Sequence, residues 1–263
     1  MFRFSPLSDT QCRGTFVQYL DVGGRIPSSV MVQQVPTQLL VLGEVMEVFK
    51  RDDEIDEAER RELARVVKDE PQVYTADENS LLSRVQGKHE ALKDEDFEEL
   101  EWPDHLVKME LNLQGGKAGV GRATTVLDAE IEECVAWELA LVSRGQLKMS
   151  CIHKALVAVN SHNHVYYTAN DHVGVLGFLP REFVARQVWR RRDAENLIIV
   201  YESFEHADYP MRSEYVRASC NTSFEFAKLP QVSGVPQTRV TFTAEIIMGG
   251  YIPNAAQKIG TVP

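Results

Sequence analysis

The alternation of apolar and polar residues divides the chain into a helical first part and a β-rich second part. Residues 28–50 carry apolar side chains at steps of three and four, which predicts an amphipathic helix that starts after Pro27 and kinks at Pro36. The charged run 51–70 predicts a second, solvated helix, and residues 77–93 predict a weaker third one. Helices therefore dominate roughly the first hundred residues.

From residue 106 onward the apolar positions follow the period of two that is typical of strands. Residues 106–113 alternate, 119–126 form a return strand after a glycine-containing turn, and Asp128 is placed to cap a helix over 129–144. Further strands are predicted at 154–161, 164–168, 181–190, 197–204, 214–219, 222–228 and 239–247. One helix among many antiparallel strands predicts an α+β domain in which a single curved sheet surrounds a helix.

One internal repeat indicates how the chain is organised. Residues 11–27 read QCRGTFVQYLDVGGRIP and residues 237–253 read QTRVTFTAEIIMGGYIP, with eight identities in seventeen positions at a constant offset of 226. An offset of this size is that of a whole domain and not of a solenoid unit. We therefore expect residues 1–70 to be the C-terminal part of a first domain, its last strand and closing helices. Residues 71–100 would be an acidic linker or helix, and 101–263 a second domain that lacks its own C-terminal helix.

Charge and cysteine usage narrow the classes of partner. The chain has 28 basic and 39 acidic residues, a net charge of −11, and the segment 44–110 alone holds 22 acidic and 10 basic residues. The acidity therefore belongs to the connecting region and argues against a nucleic-acid partner for it. Cys12, Cys134, Cys151 and Cys220 show no paired spacing, and no apolar run approaches the length of a membrane span. With no signal-peptide pattern at the N-terminus, we interpret the chain as cytoplasmic, with reduced thiols in its core.

Several short pieces of the second half occur in an order that is similar to a known family. They are PREFV at 180–184, VW at 188–189, IIVYES at 198–203, YVRA at 215–218 and GGYIP at 249–253. Together they resemble the START (StAR-related lipid transfer) family, and DAEIEECVAW at 128–137 looks like the helix that opens its middle section. The resemblance covers about residues 100–263 and, through the repeat, 4–50.

This resemblance implies a helix-grip fold, in which a curved antiparallel sheet surrounds a hydrophobic tunnel. A C-terminal helix would close the tunnel over a lipid such as a sterol, a phospholipid or a ceramide. Gln187 stands where many family members carry an arginine, which favours a sterol or another neutral lipid. Gly249 and Gly250 fit a positive-φ turn before the closing helix. The predicted lipid-binding residues are Phe183, Ala185, Gln187, Trp189, Tyr201, Arg217 and Phe242.

Arg217 and the pair of histidines at 162 and 164 each allow two interpretations. Arg217 either faces the tunnel or is a structural arginine paired with a carboxylate such as Glu202 or Glu214, and we favour the structural role. His162 and His164 are expected to share a strand face, yet no cysteine or carboxylate completes a metal set at a familiar spacing. We interpret them as loop and edge-strand histidines and predict no metal and no cofactor.

Two functions from different classes follow. The first is a non-enzymatic lipid-binding or lipid-transfer module, with transient membrane-surface contact through residues 190–192 (Arg-Arg-Arg) as one option. The alternative is a regulatory protein-interaction module of the same fold, in which bulky inward side chains fill the cavity. No catalytic constellation is visible, so we predict no enzyme activity. Finally, we expect the spare helix at 28–50 to dock onto the second domain, because its apolar stripe needs a cover.

Overall fold

A computed structural model describes residues 2–7, 12–17, 50–71, 73–101, 106–113, 119–143, 151–170 and 179–250. The chain forms two compact units, residues 1–52 and 53–263. In the first unit, strands β1 (Phe2–Pro6) and β2 (Cys12–Phe16) form an antiparallel hairpin.

The second unit contains three described helices and one large sheet. The helices are α1 (Asp52–Asp69), α2 (Ala76–Glu90) and α3 (Ile131–Leu139). The strands are β3 (Glu98–Glu99), β4 (Lys108–Asn112), β5 (Gly119–Leu127), β6 (Cys151–Asn160), β7 (Asn163–Asn170), β8 (Arg181–Arg191), β9 (Asn196–Ser203), β10 (Val216–Arg217), β11 (Ser219–Val232) and β12 (Val235–Ile247). Their order is β3-β4-β5-β12-β11-β9-β8-β7-β6, antiparallel throughout, and β10 adds to β8 in parallel. The predicted α+β architecture is confirmed.

Local hydrogen bonds explain where two of the helices start. Thr75 and Glu78 form a reciprocal capping box at α2, with 3.2 Å from the Glu78 amide to the Thr75 hydroxyl and 2.8 Å for the return bond. Glu130 and Glu133 form the equivalent box at α3. Helix α3 therefore starts at Ile131, two residues later than Asp128 predicted.

The sheet has an outer and an inner face, and each is covered by helices. On the outer face, α2 buries Leu81, Leu82 and Val85 against Val188 and Ile198 of the sheet. These five side chains are at most 3 % exposed, so α2 is an integral layer of this unit. Residues 71–100, expected to be a linker or helix, thus include a helix with a well-buried face.

The inner face is more extensively apolar and packs against α3. Ile131 and Val135 of α3 meet Trp189, Ile199 and other buried side chains of β8, β9 and β11. Helix α1 adds Leu63 and Val67 to the same cluster, and Val67 is only 1 % exposed. The expectation that residues 51–70 form a merely solvated helix is therefore wrong, because one side of α1 is part of the core.

Phe16 and Phe242, which correspond in the internal repeat, each belong to a trio of phenylalanine rings. In the β11–β12 hairpin, the centroid of the Phe224 ring lies 4.6 Å from that of Phe242 on the other strand and 6.3 Å from that of Phe226 on the same strand. In the β1–β2 hairpin, the corresponding centroid distances are 4.5 and 6.3 Å. The trios are Phe224, Phe242 and Phe226 in the first case, and Phe2, Phe16 and Phe4 in the second. Each hairpin pairs the first two rings of its trio directly across the strands.

The turn after β12 has the predicted backbone. Gly249 and Gly250 both have φ of +63°, a conformation that glycine adopts without steric cost. The buried guanidinium of Arg181 donates to the carbonyl oxygens of Met248 and Gly249 at 3.3 Å, and to that of Leu179 at 2.5 Å. Burial lowers the pKa of Arg181. The turn is therefore held by side chain as well as by backbone.

Two predictions fall on parts of the chain that the structure does not describe. All but the last residue of the predicted helix 28–50 lies outside the described residues, and so does the segment 251–263. The expected docking of that helix on the second domain therefore stays a prediction.

Candidate functional site

A row of polar side chains crosses the inner face at the middle of the sheet. His164 on β7 lies directly opposite Gln187 on β8, and Gln187 lies directly opposite Tyr201 on β9. Directly opposed residues of antiparallel strands point to the same side of the sheet, so the three side chains are neighbours. Helix α3 adds Glu138 above Tyr201. We call these four residues the inner-face row.

Hydrogen bonds run through the inner-face row in one direction. The amide nitrogen of Gln187 donates to the Tyr201 hydroxyl at 2.5 Å, and this hydroxyl donates to a Glu138 carboxylate oxygen at 2.8 Å. Burial, followed by the nearby charge of Glu138, raises the pKa of Tyr201 well above its ordinary value. The tyrosine hydroxyl therefore remains protonated and continues to donate.

Two buried atoms of the inner-face row have no hydrogen-bond partner among the residues that the structure describes. They are Oε1 of Gln187, a residue with no exposed surface, and Nδ1 of His164. Burial lowers the pKa of His164, an effect that the neighbouring Gln187 side chain opposes, so the ring is neutral near pH 7. Unpaired buried polar atoms are rare in folded proteins, and these two belong to directly opposed residues, so an N–H of His164 can donate to the Gln187 oxygen.

Apolar side chains surround the inner-face row. Trp189 is fully buried two residues beyond Gln187 on β8, and Tyr166 meets the Tyr201 ring edge-on at 6.3 Å. Phe224 and Phe242 extend the apolar surface toward β12 and are half-buried. A mostly apolar surface with a few converging polar groups is the usual composition of a small-molecule site.

The structure brings six of the seven residues predicted to bind lipid to the inner face. The alternation along β8 places Phe183, Ala185, Gln187 and Trp189 on one side, together with Tyr201 and Phe242 of the neighbouring strands.

Arg217 is the exception, because β10 pairs in parallel with β8 and directs this side chain to Glu182. It donates to one Glu182 oxygen at 3.0 and 2.8 Å and to the Tyr209 carbonyl at 3.0 Å. Glu182 is a different carboxylate from the two considered in the sequence, and it belongs to the outer-face register of β8.

Sequence reasoning missed two members of the inner-face row. Glu138 follows the spacing of the buried α3 residues Ile131, Cys134 and Val135, and this spacing was the available signal. His164 was considered only as a companion of His162. The two do not share a face, because His162 lies in the β6–β7 turn with its Nε2 3.3 Å from a Glu78 oxygen.

A groove of about 570 Å³ opens on the outer face, between the end of α2 and strands β4, β5 and β12. Charged pairs line it, including Lys108 with Glu110 and Arg122 with Asp94, each at 2.6 Å. An acyl chain or a sterol ring gains nothing from such a surface. The inner face is therefore the candidate lipid site.

No group of three metal-ligating side chains occurs within the described ranges, and no described helix is long and apolar enough to cross a membrane. The predicted core position of the thiols holds for buried Cys134 and half-buried Cys220, but Cys12 is exposed. The three arginines at 190–192 donate to side chains of α2, α3 and β11.

A large antiparallel sheet that carries helices on both faces and a polar row within its apolar inner face is the architecture of the helix-grip fold. Comparison with solved structures supports this. Human STARD10 superposes with a TM-score of 0.55 at 17 % identity, over 74 % of this chain and 77 % of that one. Human StAR-related lipid transfer protein 5 gives 0.55 at 14 % identity, over 71 % and 89 %. A STAR-related lipid transfer protein from Xanthomonas axonopodis gives 0.52 at 16 % identity, over 64 % and 90 %.

No protein-family profile and no curated protein matches the amino-acid sequence. The fold is nevertheless that of the START domains, as the sequence resemblance predicted.

Proposed function

We propose that this chain is a non-enzymatic lipid-binding or lipid-transfer module that holds a sterol or another lipid in an internal hydrophobic tunnel. The observation that carries the proposal is the apolar inner face with the inner-face row of polar side chains across it. Each buried CH₂ group of a lipid contributes about 0.8 kcal/mol, so a 16-carbon chain gains on the order of 10 kcal/mol. The structural neighbours named as lipid transfer proteins support the same class.

The residues proposed to contact the lipid are those of the inner face: Phe183, Ala185, Gln187, Trp189, Tyr201 and Phe242. A sterol, a phospholipid or a ceramide is the ligand class that the fold supports. The protein would act in the cytoplasm and touch a membrane surface only transiently, without a nucleic-acid partner. The alternative is a regulatory interaction module in which the apolar cluster around Trp189 fills the cavity.

Lipid extraction tests the proposal. Protein incubated with liposomes of phosphatidylcholine, cholesterol and ceramide is re-isolated, and its lipid is quantified by mass spectrometry. Ala123 and Thr124 on β5 offer a matched pair of variants, because Ala123 opposes Phe242 on the inner face and Thr124 opposes Thr241 on the outer face. Ala123→Leu should lower the amount of bound lipid several-fold, whereas Thr124→Leu should not. Recovery of no lipid with the folded protein would favour the filled-cavity alternative.

We also propose that the chain carries parts of two domains of this fold, the first of which ends within residues 1–70. The repeat at offset 226 and the similar cross-strand ring distances of the two phenylalanine trios, 4.5 and 4.6 Å, support this division. Both α1 and α2 bury residues against the second sheet, so we place the boundary near residue 52. In this division, residues 53–100 belong to the second domain, and not to the first domain or to a linker.

A further inference from the structure

We infer that the groove on the outer face binds a short zwitterionic peptide in an extended conformation. This groove, of about 570 Å³, lies between the end of α2 and strands β4, β5 and β12. It is on the opposite side of the sheet from the inner-face row, so peptide binding there is independent of the proposed lipid binding. Two features point to the peptide: the charges that remain unpaired in the groove and their separation along β12.

The strand register shows how the floor of the groove is built. Thr241 and Thr243 of β12 line it, and Thr243 lies directly opposite Ser223 of β11. Nδ1 of His89, near the end of α2, lies 2.7 Å from the Ser223 hydroxyl, so the end of this helix is at the level of Thr243. Alternate residues of a strand share a face, so Thr243, Thr241 and Arg239 follow one another along the groove.

Three ion pairs neutralise most of the charges in the groove. They join basic to acidic side chains at 2.6, 2.6 and 3.4 Å, and they are Lys108 with Glu110, Arg122 with Asp94, and Arg192 with Glu225. Burial lowers the pKa of His89, so this ring adds no charge near neutral pH. The side chains of two further lining residues, Glu90 and Arg239, form no hydrogen bond or ion pair with any residue that the structure describes. One anion and one cation therefore remain.

The two unpaired charges lie at opposite ends of the groove. Glu90 follows His89 at the end of α2, close to the level of Thr243, whereas Arg239 is four residues from Thr243 along β12. Four residues of a strand span about 13 Å, which is also the length of an extended peptide of about four residues. Its ammonium group would lie at Glu90 and its carboxylate at Arg239. Its amide groups can exchange hydrogen bonds with the hydroxyl groups of Thr241 and Thr243.

Other charged ligands match this groove less well. A phosphate or another simple anion meets the unpaired Arg239 but is repelled by Glu90. The phosphocholine headgroup of a lipid is also a zwitterion, but only two carbon atoms separate its phosphate from its nitrogen. It is therefore too short to reach both ends of the groove.

Amide NMR signals of the isotopically labelled full chain report both binding and its location. Tetra-alanine is titrated up to about 10 mM, a range suited to millimolar dissociation constants. Its N-acetylated form, its C-terminal amide and phosphocholine are titrated in the same way. We expect saturable shifts of the signals of β5 and β12, and each cap should weaken binding roughly two- to fivefold, the range of a solvent-exposed ion pair. Phosphocholine should bind more weakly than tetra-alanine.

Two variants assign each end of the peptide to its residue. Arg239→Gln should weaken the binding of tetra-alanine and remove the effect of the C-terminal amide, while the effect of acetylation remains. Glu90→Gln should remove the effect of acetylation and keep that of the amide. Arg13→Gln in β2 and Glu205→Gln after β9 are the matched controls, because they make the same charge changes at exposed positions that do not line the groove. Melting temperatures establish that each variant is folded.

The outcomes separate the ligand from the site. Absence of any shift in the folded protein at the highest concentration of tetra-alanine overturns peptide binding. Equal affinity for tetra-alanine and its capped forms, or tighter binding of phosphocholine, overturns the selection of an extended zwitterion. Cap effects that persist unchanged in folded Arg239→Gln and Glu90→Gln overturn the assignment to this groove. Lipid extraction is unaffected by each of these results, because it tests the other face of the sheet.

Discussion

The two neighbouring glycines in the turn after β12 allow a prediction in which one substitution is compared directly with the other. Gly249 and Gly250 have the same φ of +63°, but their surroundings differ. A Cβ at position 249 would lie 2.7 Å from the Arg217 carbonyl oxygen, whereas a Cβ at position 250 would lie 3.4 Å from the nearest atom, in Val216. Gly249→Ala therefore meets both backbone strain and a clash with another strand, and Gly250→Ala meets the strain almost alone.

The magnitudes follow from these two contributions. Positive φ costs a non-glycine residue about 1–2 kcal/mol, of which the lower chain entropy of the unfolded state restores about 0.4–1 kcal/mol. We therefore expect Gly250→Ala to lower the free energy of unfolding by about 1 kcal/mol. The clash at position 249 involves backbone that cannot rotate away, so a further loss of about 1–3 kcal/mol is expected there.

Urea unfolding followed by tryptophan fluorescence measures this, because the three tryptophans lie at 102, 137 and 189, all within the second unit. Gly87→Ala is the control for the substitution itself. It lies within α2, has nothing within 4 Å of the new Cβ, and should stabilise the protein by up to about 1 kcal/mol. Equal stabilities for Gly249→Ala and Gly250→Ala would refute the argument from the clash, and a neutral Gly250→Ala would refute the argument from strain.

Three further predictions concern the core and its charges. Phe242→Ala should lower the free energy of unfolding of the second unit by about 2–4 kcal/mol in the same urea assay. Phe16→Ala should change it by less than about 0.5 kcal/mol, because Phe16 belongs to the first unit. Equal losses in the two variants would contradict the division into separate units. Burial alone would raise the pKa of Glu78, but hydrogen bonds from Thr75 and nearby side chains lower it to about 2, below an ordinary value of 4.5. Its contribution of about 3 kcal/mol is therefore full above pH 4.5 and lost as the pH falls toward 2, and Glu78→Gln should remove this part of the pH dependence of unfolding. Arg217→Met should cost about 3–5 kcal/mol in urea, because it leaves the fully buried Glu182 without its closest cation; a loss below 1 kcal/mol would show that the pair is not structural.

The periodicity of the sequence was sufficient to predict the helices and strands and to predict which side chains of a strand share a face. Alternation along β8 placed Phe183, Ala185, Gln187 and Trp189 on one side before any partner strand was known. The glycine pair predicted the positive-φ turn, and the ordered START-like pieces predicted the fold. These features are local, because the side of a strand on which a residue lies depends only on its own segment.

Contacts between segments that are distant in the sequence could not be predicted from periodicity. Arg217 pairs with Glu182 because β10 joins β8 in parallel, and His164 reaches Gln187 because β7 and β8 share one particular register. Glu138 joins them only because α3 packs on the inner face. Such neighbours depend on which strands pair, on their register and on which helix covers them, and burial of the whole core selects these together. Local periodicity therefore sets the helices, the strands and the apolar face, whereas the pairing and packing of distant segments set which polar groups meet on that face.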